Sequence, residues 1–575
     1  MAGSCGSIVN PERNNKSEIT PVNKDSSSIT ALCTRQQTVL QRLMDWTFTR
    51  LMKLPPATHG YTVARDVPIP MRDGVVLLAD VLTPVGEVRG TLLARSPYGW
   101  PLPAMTMGGG TYASRGYRVI LARCRGTFGS GGELEPMQNE VNDGADTVAW
   151  MRQQPWFDGR FATFGGSYVG FTQWALLMDP PPEMVAAVIF TAPHDFHQAL
   201  YADGAFNLGT SLRWSDQMAY QESSWLLRTR KILTAAKRTA KAFAQLPMLD
   251  ATNRLLKGRS QWHQDWASRR DKQDPFWQGM KLTDSLDKVT VPVLLQGGWQ
   301  DLFLEQTLEQ YECLARRDVD VALTMGPWTH SEMVTKGGPA VLAETLNWFA
   351  EHLSGEGLRS YPQAVNVFIN GREAWHSFER WPPAANQQEH WLQPEGGLAN
   401  RPAAADSKAC FRYDPADPTP TFGGRIMLGG GYADDTAMAD RGDLLVFVSE
   451  PLAAPLSMIG VPCLELMHET DNPYVDLYAR VSEMSASGQS SNVSEGFIRL
   501  DPTEANGLIS LKLDVIAHEF KAGSRIRLVI AGGCHPRFER NLGTGADQAT
   551  STAMKASKRT LKLAQSRLLL PIVDL

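Results

Sequence analysis

The 575-residue chain has no apolar run long enough to cross a bilayer, so no membrane span is expected. It has no surplus of base. Its 56 Lys and Arg stand against 61 Asp and Glu, giving a net charge of −5 and no electrostatic footprint for nucleic acid. Cysteines are few. The seven, Cys5, Cys33, Cys124, Cys313, Cys410, Cys463 and Cys534, are scattered, with no Cys-x-x-Cys pair and no Cys/His cluster. Neither a zinc site nor a disulfide framework is expected, and no metal or organic cofactor is implied. The first residues lack the apolar h-region of a secretory signal, and Glu12, Glu18 and Asp25 speak against a transit peptide. The closing Val-Asp-Leu is no peroxisomal signal. These absences give a cytoplasmic expectation. Residues 1–36 also lack aromatics and are rich in Ser, Asn, Thr and Lys, which predicts a disordered tail.

What is present falls into distinct textures. Residues 37–53 place Leu40, Leu43, Met44 and Phe48 at helical spacing, predicting an amphipathic helix packed on a domain edge, with a membrane-surface helix as the alternative. From Tyr61 to about Leu82 the pattern is strand, turn, strand, because Asp73-Gly74 tolerates the positive φ of a tight hairpin. Apolar runs at 91–95, 117–122, 161–164, 185–191, 291–296 and 321–325 then alternate with helical stretches. This predicts an α/β fold, a mostly parallel sheet covered on both faces. The alternation lapses between about Pro193 and Leu286, where Trp214, Trp225, Trp262, Trp266, Phe276 and Trp277 sit among Lys/Arg-rich helical segments. A helical insertion there would cap the C-terminal strand ends, where open α/β sheets bind ligands. After Leu353 the period falls to two, as in Val475, Leu477, Ala479 and Val481, predicting an all-β sandwich or jelly roll. The expected parts are a tail over 1–36, an α/β core over 37–195 and 285–354, a helical cap over 196–284 and a jelly-roll β-sandwich domain over 363–575. Gly355–Pro362 is the expected linker.

The sharpest local signal is Phe164-Gly165-Gly166-Ser167-Tyr168-Val169-Gly170, set between a short strand and a helical stretch. A nucleophile elbow needs that context, with the serine Oγ projecting above the sheet. The second glycine comes three residues after the serine, so the generic G-x-S-x-G is not met. Alone, the motif fits equally a Gly-rich turn whose serine caps a helix. Two further strands end in Gly297-Gly298-Trp299-Gln300-Asp301 and Gly326-Pro327-Trp328-Thr329-His330. Each puts an acid or a base on the rim expected for Ser167, in the chain order Ser, Asp, His of α/β hydrolases. In such a set His330 takes the serine proton, Asp301 fixes the imidazole, and the Tyr168 backbone N–H donates to the oxyanion.

Beyond these motifs, Arg95-Ser96-Pro97-Tyr98, Arg125-Gly126, Gly129 through Glu133, Trp156-Phe157-Asp158-Gly159, Asp274-Pro275-Phe276-Trp277, Pro536 through Asn541 and Thr544-Gly545 recur in one order over roughly residues 60–575. With them the chain resembles the cocaine-esterase-like hydrolases, which join an X-Pro dipeptidyl-peptidase-type catalytic domain to a C-terminal jelly roll. The resemblance implies an α/β-hydrolase core, with Ser167 as nucleophile, Asp301 as acid and His330 as base. It also implies that the Tyr98 hydroxyl completes the oxyanion hole beside the Tyr168 N–H. One segment departs from the family pattern: Arg123-Cys124-Arg125-Gly126 lacks the leading acid of Asp-x-Arg-Gly, so any ion pair made there must be absent or rebuilt.

The expected reaction is hydrolysis of a small-molecule carboxylic ester through acyl-Ser167. Trp299, Trp328 and Phe276 are the candidate walls of an apolar, tolerant pocket. The competing readings are an X-Pro dipeptidyl peptidase or amino-acyl amidase, an acyltransferase of a biosynthetic pathway, and an inactive binding protein built on the jelly roll. The sequence leaves the oligomeric state open.

Overall fold

The computed structural model describes residues 34–357, 359 and 363–575. The tail expected over 1–36 lies outside these residues up to position 33, and so does most of the end of the expected linker. No helix among the described residues is long and apolar enough to cross a membrane.

The hairpin forms where Asp73-Gly74 allows it. Gly74 has φ +85° and its N–H donates to the Met71 carbonyl, so strands Tyr61–Pro70 and Val76–Pro84 pair antiparallel. Every residue of the next two strands, Gly90–Ser96 and Tyr117–Arg123, is buried, as their unbroken apolar runs require of strands covered on both faces. From Tyr117–Arg123 the sheet continues through Gly90–Ser96, Phe161–Gly166, Met184–Phe190, Val293–Gln300 and Val321–Thr329, all parallel. The candidate serine, aspartate and histidine follow three of these neighbouring strands at their C-terminal ends. This is the α/β-hydrolase arrangement.

Two strands beyond the expected linker also join this sheet. Val365–Ile369 pairs parallel with Val321–Thr329, and Ala374–Phe378 pairs antiparallel with it in turn. The change from one sheet to the other thus falls after Phe378, later than residue 363. Val365, Val367 and Ile369 are wholly buried, so the edge of the parallel sheet offers them a core before the β domain begins. From Asn386 to Ile572 the strands are almost all antiparallel.

Between Met184–Phe190 and Val293–Gln300 the chain is helical, including Phe196–Tyr201, Leu208–Met218, Trp225–Phe243, Met248–Leu256 and Trp262–Ser268. Trp266 and Trp277 anchor this cap in the main core. The cap also grips the β domain. Glu539, buried, pairs with Arg270 of the cap at 2.5 Å and with Arg499 of a β strand at 2.6 Å. Its backbone N–H donates to the Phe206 carbonyl.

One expectation is corrected. The helix Val39–Leu51 forms, with Thr38 as its capping-box residue, but its apolar face does not pack inward. Leu40 and Leu43 are exposed, Met44 and Phe48 only half-buried, and the buried positions are Gln41 and Asp45. Asp45 is drawn inward because it accepts hydrogen bonds from the Tyr61 hydroxyl (2.8 Å) and the Gln37 amide (2.7 Å).

Candidate active site

Ser167 sits between strand Phe161–Gly166 and helix Tyr168–Leu176 with φ 57° and ψ −127°, a conformation that non-glycine residues rarely adopt. Its surroundings over-determine it. The Ser167 N–H donates to the carbonyls of Phe190 and Thr191, and its own carbonyl accepts from Gly170 and Phe171. The glycines allow the close approach: a Cβ on Gly166 would meet the Phe190 ring at 2.1 Å, and one on Gly170 would meet Ala192 Cβ at 2.3 Å. Gln173, in the second turn of the helix, bonds back to the carbonyls of Gly165 and Val188 at 3.1 Å each. The close approach to Ala192 falls at position 170, three residues after the serine, while position 169 accommodates a valine side chain.

Asp301 and His330 come together. Asp301 Oδ2 lies 2.6 Å from His330 Nδ1, and Asp301 is wholly buried. Asp301 Oδ1 accepts the Phe303 N–H at 2.7 Å, which fixes the carboxylate plane. The two loops cross closely, since a Cβ on Gly298 would lie 2.2 Å from the Trp328 carbonyl. Ser167 and His330 line one cavity of about 450 Å³, but no direct hydrogen bond joins them; catalytic contacts of this kind are often long without ligand.

The Tyr98 hydroxyl shares the cavity wall with Ser167 and accepts the Trp214 indole N–H at 3.0 Å. Burial pushes the Tyr98 hydroxyl pKa up, so it stays protonated. Tyr168 opens its helix, so its backbone N–H has no intrahelical acceptor. The Tyr168 side chain is tied beneath the site. Its hydroxyl donates to Glu140 Oε1 at 2.8 Å, and Glu140 pairs with buried Arg95 at 2.7 Å. Trp214 stacks on the Tyr168 ring with the planes 10° apart. Cys124 is buried against the same Glu140, and burial pushes its thiol well above the ordinary range.

The acid missing from the Arg123-Cys124-Arg125-Gly126 segment is replaced from elsewhere. Arg123 pairs with Asp66 at 2.5 Å and Asp80 at 2.7 Å, and Arg125 with Asp143 at 2.6 Å and Asp73 at 2.7 Å.

The three expected pocket aromatics lie elsewhere. Trp299 is wholly buried, donates to the Phe368 carbonyl at 2.7 Å and packs on Trp381. Trp328 packs on Trp375, and Phe276 on Trp277 under Arg269. None of them lines the cavity. Neighbours of Asp301 and His330 in sequence point into the layers on either side of a doubly covered sheet. The walls are instead Trp100, Met107 and Tyr112 from one side, Phe196, Trp214 and Trp266 from the cap, and Met333 and Leu342 behind His330. Met427 arrives from the β domain. Among the described residues, no group of three or more His, Cys, Asp and Glu side chains could hold a metal ion.

The sequence model of X-Pro dipeptidyl-peptidase (S15 family) matches residues 73–332, and that of the X-Pro dipeptidyl-peptidase C-terminal non-catalytic domain matches residues 359–567. The cocaine esterase of a Rhodococcus species is 27% identical over 546 residues, spanning 84% of this chain and 93% of that protein. Two solved structures share the fold over nearly all of both chains. An aminopeptidase from a marine-sediment Thaumarchaeota archaeon superposes with a TM-score of 0.77 at 22% identity, covering 89% of this chain and 97% of that one. An α-amino-acid ester hydrolase superposes with a TM-score of 0.77 at 19% identity, covering 90% and 98%. With both domains matched in order, the chain belongs to the cocaine-esterase-like, X-Pro dipeptidyl-peptidase-type family of serine hydrolases.

Proposed function

We propose that the protein hydrolyses neutral, apolar carboxylic esters through an acyl-Ser167 intermediate. The observation that carries this reading is the cavity wall, which holds Ser167 and His330 but no Asp, Glu, Lys or Arg. A peptidase acting on a free N-terminus must offer a carboxylate to the ammonium group, since a buried charge needs a partner. An adjoining small cavity shares Ala199, Leu200, Leu302 and Phe303 with the main one and does contain Asp203 and Glu305. Arg425 and Arg537 line it too, and Arg425 pairs with Glu305 at 2.8 Å. Burial, then the charge of Glu305, pushes Asp203 up to about 7, so it offers a weak counter-charge near neutrality. The name of the relative cocaine esterase points to ester cleavage as well.

In this reading His330 takes the Ser167 proton as Oγ attacks the ester carbonyl, and Asp301 holds the imidazole by its Nδ1 proton. The oxyanion is received by the Tyr168 N–H and the Tyr98 O–H. Collapse expels the alcohol, protonated by His330, and water repeats the sequence to release the acid. The test compares kcat/KM for short-acyl p-nitrophenyl esters and X-Pro p-nitroanilides, corrected for leaving-group reactivity. Esters should be preferred. A corrected preference for the X-Pro amide that disappears when its α-amine is blocked would establish a peptidase instead.

A further inference from the structure

The cap helix Trp225–Phe243 faces the wrong way for a core helix. Its buried side is small, with Thr239, Ala242 and Phe243 packed inward. Its outward side carries Trp225, Leu226, Ile232 and Leu233, continued by Ala236 and Ala240 at helical spacing. Trp225 is 68% exposed and Leu233 79%, and every residue from Trp225 to Arg230 is exposed. Isolated exposed apolar residues need no explanation, but a periodic stripe on one helix does.

The charge along this helix is as one-sided as its apolarity. Residues 225–243 contain six Lys and Arg and no acid, in a chain whose net charge is −5. Two of the bases turn inward: Arg238 pairs with Asp216 at 2.6 Å, and Lys231 lies over the Tyr220 ring. The other four, Arg228, Arg230, Lys237 and Lys241, are exposed and form no ion pair among the described residues. Arg230, Lys237 and Lys241 flank the apolar stripe on one side and Arg228 on the other, given 100° per residue.

We propose that this helix docks the protein on an anionic lipid surface. An apolar face that sinks to the acyl boundary, rimmed by bases that meet lipid phosphates, is the composition of an interfacial helix. A second copy of the chain fits less well, because an acid-free helix would set base against base across the two-fold axis. The helix packs on Leu208–Met218, which carries Trp214 and Gln217 in the cavity wall, so docking would bring the cap close to lipid-dissolved apolar esters. The docking itself does not depend on the catalytic reading.

The experiment is flotation of the full chain with vesicles of phosphatidylcholine alone or mixed with phosphatidylglycerol. Binding should occur with the mixed vesicles only and fall as salt is raised. The double substitution Arg230→Gln, Lys237→Gln should weaken it roughly 30-fold, from about 1 kcal/mol per base near the surface. The double substitution Ile232→Ser, Leu233→Ser should abolish it, with thermal melting unchanged because both side chains are exposed. Absence of flotation on mixed vesicles, or equal flotation on neutral ones, would overturn the proposal. So would a concentration-dependent dimer that Leu233→Ser disperses in the absence of any vesicle binding.

Discussion

The indole N–H of Trp214 donates to the Tyr98 hydroxyl across 3.0 Å, linking residues 116 positions apart. Indole nitrogen only donates, so the Tyr98 oxygen is the acceptor there and its own proton is free to point toward Ser167. Tyr98→Phe should therefore fold normally and lower kcat by about 10²–10³, or roughly 2.7–4 kcal/mol, as expected for loss of one oxyanion donor. Steady-state kinetics on the preferred ester checks this, and an unchanged kcat would make Tyr98 structural.

Ser167→Ala should lose the single adduct formed with a fluorophosphonate, read by intact mass. Asp301→Asn should retain the adduct at a much reduced rate and lower kcat by about 10⁴, since the amide favours the wrong imidazole tautomer. Labelling that persists in Ser167→Ala would show that another residue reacts.

Cys124 should resist thiol reagents in the folded protein. It is buried, and its thiol is held protonated by burial and by the neighbouring Glu140 charge. Modification of Cys124 at the rate of exposed Cys410, followed by peptide mapping, is the outcome that would contradict this.

Glu344 predicts a pH-dependent stability. It is buried between the Gln296 amide (2.8 Å) and the Thr324 hydroxyl (2.7 Å), in no ion pair among the described residues, and burial pushes it up to about 7. Its folded pKa exceeds the unfolded value near 4.5, so between these the folded state binds the extra proton and stability falls as pH rises toward 7. Glu344→Gln removes the ionisation and should raise stability at pH 8 by up to about 3 kcal/mol, at about 1.4 kcal/mol per pKa unit. At pH 4 the difference should vanish. Chemical denaturation at the two pH values measures it.

The common rim of the candidate serine, aspartate and histidine was legible in the sequence. Ser167, Asp301 and His330 each follow an apolar strand by a fixed few residues, and parallel strands must place such positions on one rim. The cavity wall was less legible. Trp299 and Trp328 neighbour the candidate acid and base in sequence, but strands buried on both faces give no sign of which layer a side chain enters. Met427 and Trp214 reach the site only through tertiary packing. For Trp214 the one available signal was the loss of strand alternation that marks the cap; Met427, from the β domain, had none. The face of the helix Val39–Leu51 was misread because periodicity weighs apolar residues alone, whereas the Tyr61 hydroxyl and Gln37 draw Asp45 inward.

The Glu539 clamp bears on how the molecule comes apart. Two cations from different layers, Arg270 and Arg499, share one buried carboxylate. Parting the layers separates Arg270 from Glu539, breaks the Glu539 N–H bond to the Phe206 carbonyl and opens the contact between them to water. Cap and β domain are thereby coupled in unfolding, so calorimetry should record a single transition, and limited proteolysis should release no stable C-terminal fragment. The same coupling sets the unit that can be exchanged between relatives. A recombinant joined at the linker would inherit a foreign residue in place of Met427 and a mismatched partner for Arg270, so activity and cooperativity would be lost together.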